Sequence, residues 1–157
     1  MKRYPLSKKD RRLITGELQK YGVQVSDDDV LEYYSDGVNE YILVNKAPAL
    51  MKHGDLWIPC LNNVSRNQLT LPLPSLLVDK GAVQAVLRGA DLMVPGIVEA
   101  RGGFKAGQLV AVVDAEGGRV IALGTALIDS EALKNGVRKG KAVKVLHRLG
   151  DDSCRTP

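Results

Sequence analysis

The sequence predicts an α+β chain of two small domains, the second a mainly β pseudo-barrel with one or two short helices. Three observations predict it. A helix-capping pattern followed by apolar residues at helical spacing lies near the start, and short β-type runs broken by turn residues come after it. A Pro-rich stretch, Leu71-Pro72-Leu73-Pro74, interrupts the middle of the chain. Beyond it the apolar runs become tighter and alternate with Gly-containing turns. The predicted domains are 1–74, small and α+β, and 75–157, the pseudo-barrel.

Ser7 and Asp10 form a capping pair for a helix running to about Tyr21, with Gly22 as its stop. Leu13, Ile14, Leu18 and Tyr21 supply its apolar stripe. Val30–Tyr34 and Val38–Val44 read as strands joined by Ser35-Asp36-Gly37, a hairpin signal. Leu56–Pro59 reads as an edge strand, because Pro59 cannot donate to a ladder. Residues 62–74 carry loop chemistry. Leu76–Val78 is a strand. Asp79 caps a helix that ends at Gly89, with Ala82, Val83, Val86 and Leu87 inward and Lys80, Gln84 and Arg88 on one polar stripe. Leu92–Glu99 is a strand broken by Pro95-Gly96. Leu109–Asp114 and Val120–Ile128 are strands joined through Ala115–Gly118. Asp129 or Ser130 caps a short helix ending near Asn135-Gly136, and Lys141–His147 is the last strand.

The chain has 157 residues and a hydrophobic fraction of 45%, enough for two modest cores. No apolar run is long enough for a membrane helix, and no apolar signal core follows the basic start, so a soluble cytoplasmic protein is expected, without a membrane partner. Cys60 and Cys154 belong to no CxxC pair, so free thiols are expected rather than a disulfide or a zinc site. Net charge is +4, unevenly spread. Residues 1–20 hold seven basic residues against Asp10 and Glu17, and residues 134–148 hold six basic and no acidic ones. Two basic patches suggest two partner surfaces.

Catalytic machinery is not expected. Only His53 and His147 are present, neither in a triad or metal-ligand pattern. Gly136–Ala142 has the wrong spacing for a P-loop and lacks its Ser or Thr. No metal or cofactor is expected.

Several linked motifs carry a functional signal: Val78-Asp79-Lys80-Gly81-Ala82, then Gly89-Ala90-Asp91-Leu92-Met93-Val94-Pro95-Gly96-Ile97, then Ala122–Ala126, Gly140–Val143 and Leu146–Asp151. Their order and spacing over about residues 75–151 resemble the PUA domain. The whole chain is similar to the malignant T-cell-amplified-sequence translation factors and their archaeal relatives, which place an α+β pre-PUA domain before the PUA domain. The resemblance implies binding to tRNA and the small ribosomal subunit. Its ending, Asp151-Asp152-Ser153-Cys154, lacks the aromatic-rich tail of the eukaryotic members and favours the archaeal type.

The chemistry of these residues points the same way. A helix N-terminus attracts phosphate through free backbone N–H groups. Lys80 adds charge there, and Gly81 allows close approach, although glycine in a helix costs up to about 1 kcal/mol. Gln84, Arg88, Gly89, Ala90, Pro95, Gly96 and Ile97 extend the expected RNA surface, and Lys141 and Arg148 add counterion-release affinity. Lys8, Lys9, Arg11 and Arg12 crowd the start of the first helix against its dipole and form a candidate ribosome surface. Residues 75–157 contain one aromatic, Phe104, so base stacking is not the expected mode. The expected function is therefore a non-catalytic RNA-binding protein linked to translation, with tRNA or rRNA, the small ribosomal subunit or a translation factor as partners. An accessory subunit for an RNA-modification enzyme and a protein-interaction scaffold are the alternatives.

Overall fold

The first sheet is a meander, since most of its strands are joined by turns too short for a crossover. In the computed structural model, which describes residues 1–64 and 71–155, strands β1 (Lys2–Pro5), β2 (Leu31–Ser35), β3 (Glu40–Val44), β4 (Ala47–His53) and β5 (Leu56–Pro59) pair antiparallel in that order. Helix α1 (Lys8–Lys20) lies between β1 and β2 in the chain, and the short helix α2 (Leu61–Val64) follows β5. The sequence predicts loop from residue 62, so α2 is a correction; residues 65–70 of that predicted loop lie outside the described residues.

Ser7 caps α1 as expected, accepting from the Asp10 amide at 3.1 Å. Ile14, Leu18 and Tyr21 are buried, but Leu13 is 62% exposed and does not belong to the stripe. Burial pushes the Tyr21 phenol up to about 12, and its hydroxyl donates to the Trp57 carbonyl at 2.6 Å. The second hairpin strand starts at Glu40 rather than Val38. The Asp36 carboxylate accepts from the Val38 and Asn39 amides at 2.8 and 2.7 Å, which holds both residues in the turn.

Strands β1 and β4 were not expected. Asn45 and Lys46 both take positive φ, 50° and 74°, and make the tight β3–β4 turn without a glycine to announce it. Pro48 then sits beside the register shift at Ile42/Leu43, where a missing N–H is tolerated.

Cys60 and Cys154 form a disulfide with Cα atoms 5.6 Å apart, which corrects the expectation of free thiols. Both are buried. The Cys154 amide donates to the Tyr41 hydroxyl at 3.4 Å, and the Asn62 side chain donates to the Ser153 carbonyl at 3.4 Å. The first unit accordingly comprises Met1–Pro72 and the chain from Asp152 onward; the second is Leu73–Asp151. The end of the chain, placed by sequence with the second domain, packs with the first.

The second unit is a curled six-stranded sheet in the order β7-β11-β10-β9-β6-β8. Its strands are β6 (Ser75–Val78), β7 (Leu92–Met93), β8 (Ile97–Arg101), β9 (Leu109–Asp114), β10 (Val120–Ala126) and β11 (Lys141–Arg148). Among the described strands, only β6 and β9 pair parallel. Helices α3 (Lys80–Leu87) and α4 (Ser130–Lys134) complete it, and a single 3-10 turn (Val94–Gly96) separates β7 from β8 where Pro95-Gly96 predicts a break. The core is aliphatic, with Leu76, Val78, Val86, Leu92, Val110 and Val112 around Phe104. Leu87, expected inward, is 40% exposed. His147 is fully buried, with Nδ1 2.8 Å from the Asp151 carboxylate. Among the described residues no helix is long and apolar enough to cross a membrane, and no cluster of side chains could hold a metal ion.

The disulfide closes a loop of 94 residues, for which chain entropy gives a stabilisation of about 4–5 kcal/mol. Cys60→Ser or prior reduction is expected to lower the denaturant midpoint of the first unit by an amount equivalent to about 2–5 kcal/mol. Trp57, the one tryptophan, reports that unit selectively by fluorescence. An unchanged midpoint would show that the bridge does not constrain the unfolded chain.

Candidate nucleic-acid interface

Helix α3 begins with three linked hydrogen bonds. The Asp79 carboxylate accepts from the Ala82 amide at 2.8 Å, the Asp79 carbonyl accepts from Val83 at 3.0 Å, and the Asp79 amide donates to the Gly96 carbonyl at 3.0 Å. Asp79 therefore caps, and it also ties the helix start to the 3-10 turn. The amides of Lys80 and Gly81 precede the intrahelical ladder, in the position that attracts anions.

The glycines now separate by role. Gly89 takes φ +117°. Its amide bonds to the Val86 carbonyl at 3.1 Å while the Ala90 amide bonds to Ala85 at 3.0 Å, a Schellman closure that needs a left-handed residue. Gly96 is required by packing, since a Cβ there falls 2.6 Å from the Cβ of Ala82. Gly81 is different. A Cβ there meets only the Asp79 Oδ1 at 3.6 Å, an ordinary contact, and its φ is unexceptional. Nothing in the fold asks for glycine at 81, and its absence of a side chain leaves the helix start open.

Lys80, Gln84 and Arg88 are all exposed and line one face of α3, as expected. At 1.5 Å per residue the first and last are separated by about 12 Å along the axis, enough to follow successive phosphates. Among the described residues the side chains of these three make no hydrogen bond or ion pair. Ala90 and Pro95 are exposed beside them, and Ile97 is half-buried.

The two basic residues of β11 are placed otherwise. Arg148 Nε donates to the Val86 carbonyl at 2.9 Å, which satisfies the C-terminal end of α3. Lys141 Nζ lies 3.3 Å from the Asp91 carboxylate. Asp91 is the organising residue that sequence reasoning quoted within a motif without giving it a role. Its Oδ1 accepts from the Val145 amide at 2.9 Å, joining the α3–β7 connection to β11. That backbone hydrogen bond, and then Lys141, hold its carboxyl below the usual carboxylate range.

In the first unit, Lys8, Lys9 and Arg12 are exposed and, among the described residues, unpaired. Arg11 is not part of that surface. Its guanidinium donates to the Asp29 and Ser26 carbonyls at 2.7 and 2.9 Å and holds the loop before β2.

Known proteins match both parts of the chain. The PUA domain profile matches residues 74–149, and the profile of a domain of unknown function, DUF1947, matches residues 2–67. An uncharacterized protein of Methanocaldococcus jannaschii is 38% identical over 157 residues, covering 96% of this chain and 93% of that one. Translation machinery-associated protein 20 of Saccharomyces cerevisiae is 32% identical over 84 residues, which cover 50% of this chain and 46% of that protein. A probable tRNA pseudouridine synthase B of Pyrococcus abyssi is 28% identical over 141 residues, 86% of this chain and 35% of the synthase. The chain thus spans less than half the length of either named relative. A crystal structure of a PUA domain from Aeropyrum pernix K1, a tartrate complex, superposes with a TM-score of 0.78 at 34% identity, covering 96% of this chain and 88% of that one.

Because the Asp91 carboxylate is stabilised in the folded state, its contribution is fully present above the unfolded value near about 3.9 and is lost as pH falls through the lower folded value. Asp91→Asn is expected to lower the melting temperature at neutral pH. The gap between the two proteins should close as the pH is taken down through and below the usual carboxylate range. A gap that persists in acid would assign the effect to packing.

Proposed function

Because the chain belongs to the family in which a DUF1947 pre-PUA region precedes a PUA domain, we propose that it is a non-catalytic, cytoplasmic RNA-binding protein of the translation apparatus, contacting tRNA or the small ribosomal subunit. The observation that carries this reading is Gly81: a glycine the fold does not need, placed in the first turn of α3 directly after the capping Asp79 and the unpaired Lys80. Lys80, Gln84 and Arg88 follow the backbone of the RNA. The Gly89-Ala90 and Pro95-Gly96-Ile97 segments offer small side chains beside them, and Lys141, paired with Asp91, adds a weaker contact. Arg148 acts through the helix end it satisfies.

Filter binding of a tRNA transcript across a salt series tests the site. Lys80→Glu with Arg88→Glu should weaken binding about tenfold or more and reduce the salt slope by about 2. Gly81→Ala should leave thermal stability equal or raised, by up to about 1 kcal/mol, while weakening binding. Unchanged affinity in both would move RNA off this face.

The surface on α1 supports a separate contact with the ribosome. Charge reversal of Lys8, Lys9 and Arg12 together should reduce co-sedimentation with the small subunit more than it reduces tRNA affinity; equal losses would leave one surface, not two. Arg11 is left out because its replacement frees the loop at Ser26–Asp29.

The similarity to a probable tRNA pseudouridine synthase favours a second reading, an RNA-binding accessory of a modification enzyme. Stable co-purification with such an enzyme, and absence from ribosomal fractions, would select it.

A further inference from the structure

Strand β8 ends the second sheet, with β6 on one side and, among the described residues, no strand on the other. Its residues from Val98 to Arg101 are exposed. A register shift at Leu77/Val78 leaves Val98 without a partner on β6, and that side chain is 64% exposed. Across from this edge stands α4 with the turn after it. Between them runs a groove of about 860 Å³, with Ile97, Val98 and Ala100 on the β8 side and Leu133 and Val137 among its other lining residues. Ser130 holds α4 in place, its hydroxyl bonded to both the amide and the carbonyl of Phe104, at 3.0 and 3.2 Å. The groove is preformed, largely apolar and bordered by a strand edge whose N–H and C=O groups are available to another chain.

The charge at its rim is positive. Glu99, the acidic lining residue, is tied to Arg101 at 2.6 Å. Lys134 lies 3.7 Å from Glu131 on an exposed helix face, and Arg138 makes no ion pair among the described residues. No aromatic side chain lines the groove, so it offers no platform on which bases could stack. An apolar lining, a free backbone edge and one unpaired cation, Arg138, suit a polypeptide better than a nucleic acid.

We propose that this groove binds an extended segment of a partner protein, which adds as a strand to β8, places alternate apolar side chains against Val98, Leu133 and Val137, and sets an acidic residue against Arg138. The site does not depend on RNA binding by α3, with which it shares only the Pro95–Ile97 turn.

A phage-displayed library of random peptides, panned on the full chain, tests this. The expected consensus alternates apolar residues and carries an acidic position. A synthetic peptide of that consensus should shift the β8 and α4 amide signals of the isotope-labelled protein and slow exchange of the β8 amides. Arg138→Glu should weaken it about tenfold, and Val98→Asp should abolish binding, while Lys80→Glu with Arg88→Glu leaves it intact. Both substituted groove residues are exposed, so folding is checked by the unchanged remainder of the spectrum. Enrichment no greater than on the Val98→Asp protein would overturn the proposal. So would a consensus without an acidic position, or oligouridylate producing the same shifts at β8 and α4.

Discussion

Helix α3 reaches the 3-10 turn only because residue 96 has no side chain: a Cβ there falls 2.6 Å from that of Ala82. At that distance the Gly96 carbonyl accepts the Asp79 amide, and the helix start is fixed to the turn that leads into β8. At the other end of the helix, the Gly89 closure and Arg148 fix the last turn. A helix of eight residues is too short to be stable by propensity. Its position comes from these end contacts and from Val86 in the core. The exposed stripe of Lys80, Gln84 and Arg88 is thus carried on a helix backbone held at both ends.

Much of this was legible in the residues. Caps at Ser7 and Asp79 and the stop at Gly89 follow from side-chain chemistry that acts within a few residues. The structure bears them out. Local chemistry failed where a distant partner decides. Strand β4 begins Ala47-Pro48, and only its bulged pairing with β3 makes a strand of it. Leu13 has helical spacing but faces away from the core, because the burying face is set by Ile14, Leu18 and Tyr21. Cys60 and Cys154 carry no spacing pattern that could announce their pairing. In the candidate site, the α3 stripe was readable because helical spacing alone puts Lys80, Gln84 and Arg88 together. The β11 residues were not, since Arg148 and Lys141 are turned to structural tasks by Val86 and Asp91, which lie more than fifty and about fifty positions away.

The same sorting applies to charge. A net excess of +4 says little by itself. Arg3, Arg11, Lys20, Arg101 and Arg148 are held by Glu32, by backbone carbonyls, by Glu17, by Glu99 and by Val86. Among the described residues, the cations that remain unpaired include Lys8, Lys9 and Arg12 on α1, Lys80 and Arg88 on α3, and Arg138 at the groove. Free cations keep their full field for a ligand, whereas paired ones have already exchanged it for internal contacts.

The disulfide joins residue 60 to residue 154, and the whole second unit lies between them. That stretch of chain is a covalent ring, and residues 1–59, with strands β1 to β5 and helix α1, lie outside it. A protease that cuts one peptide bond inside the ring opens it and releases nothing. The nicked molecule keeps its mass until a reductant separates the halves, so intactness on a non-reducing gel and intactness of the backbone are different properties for this protein.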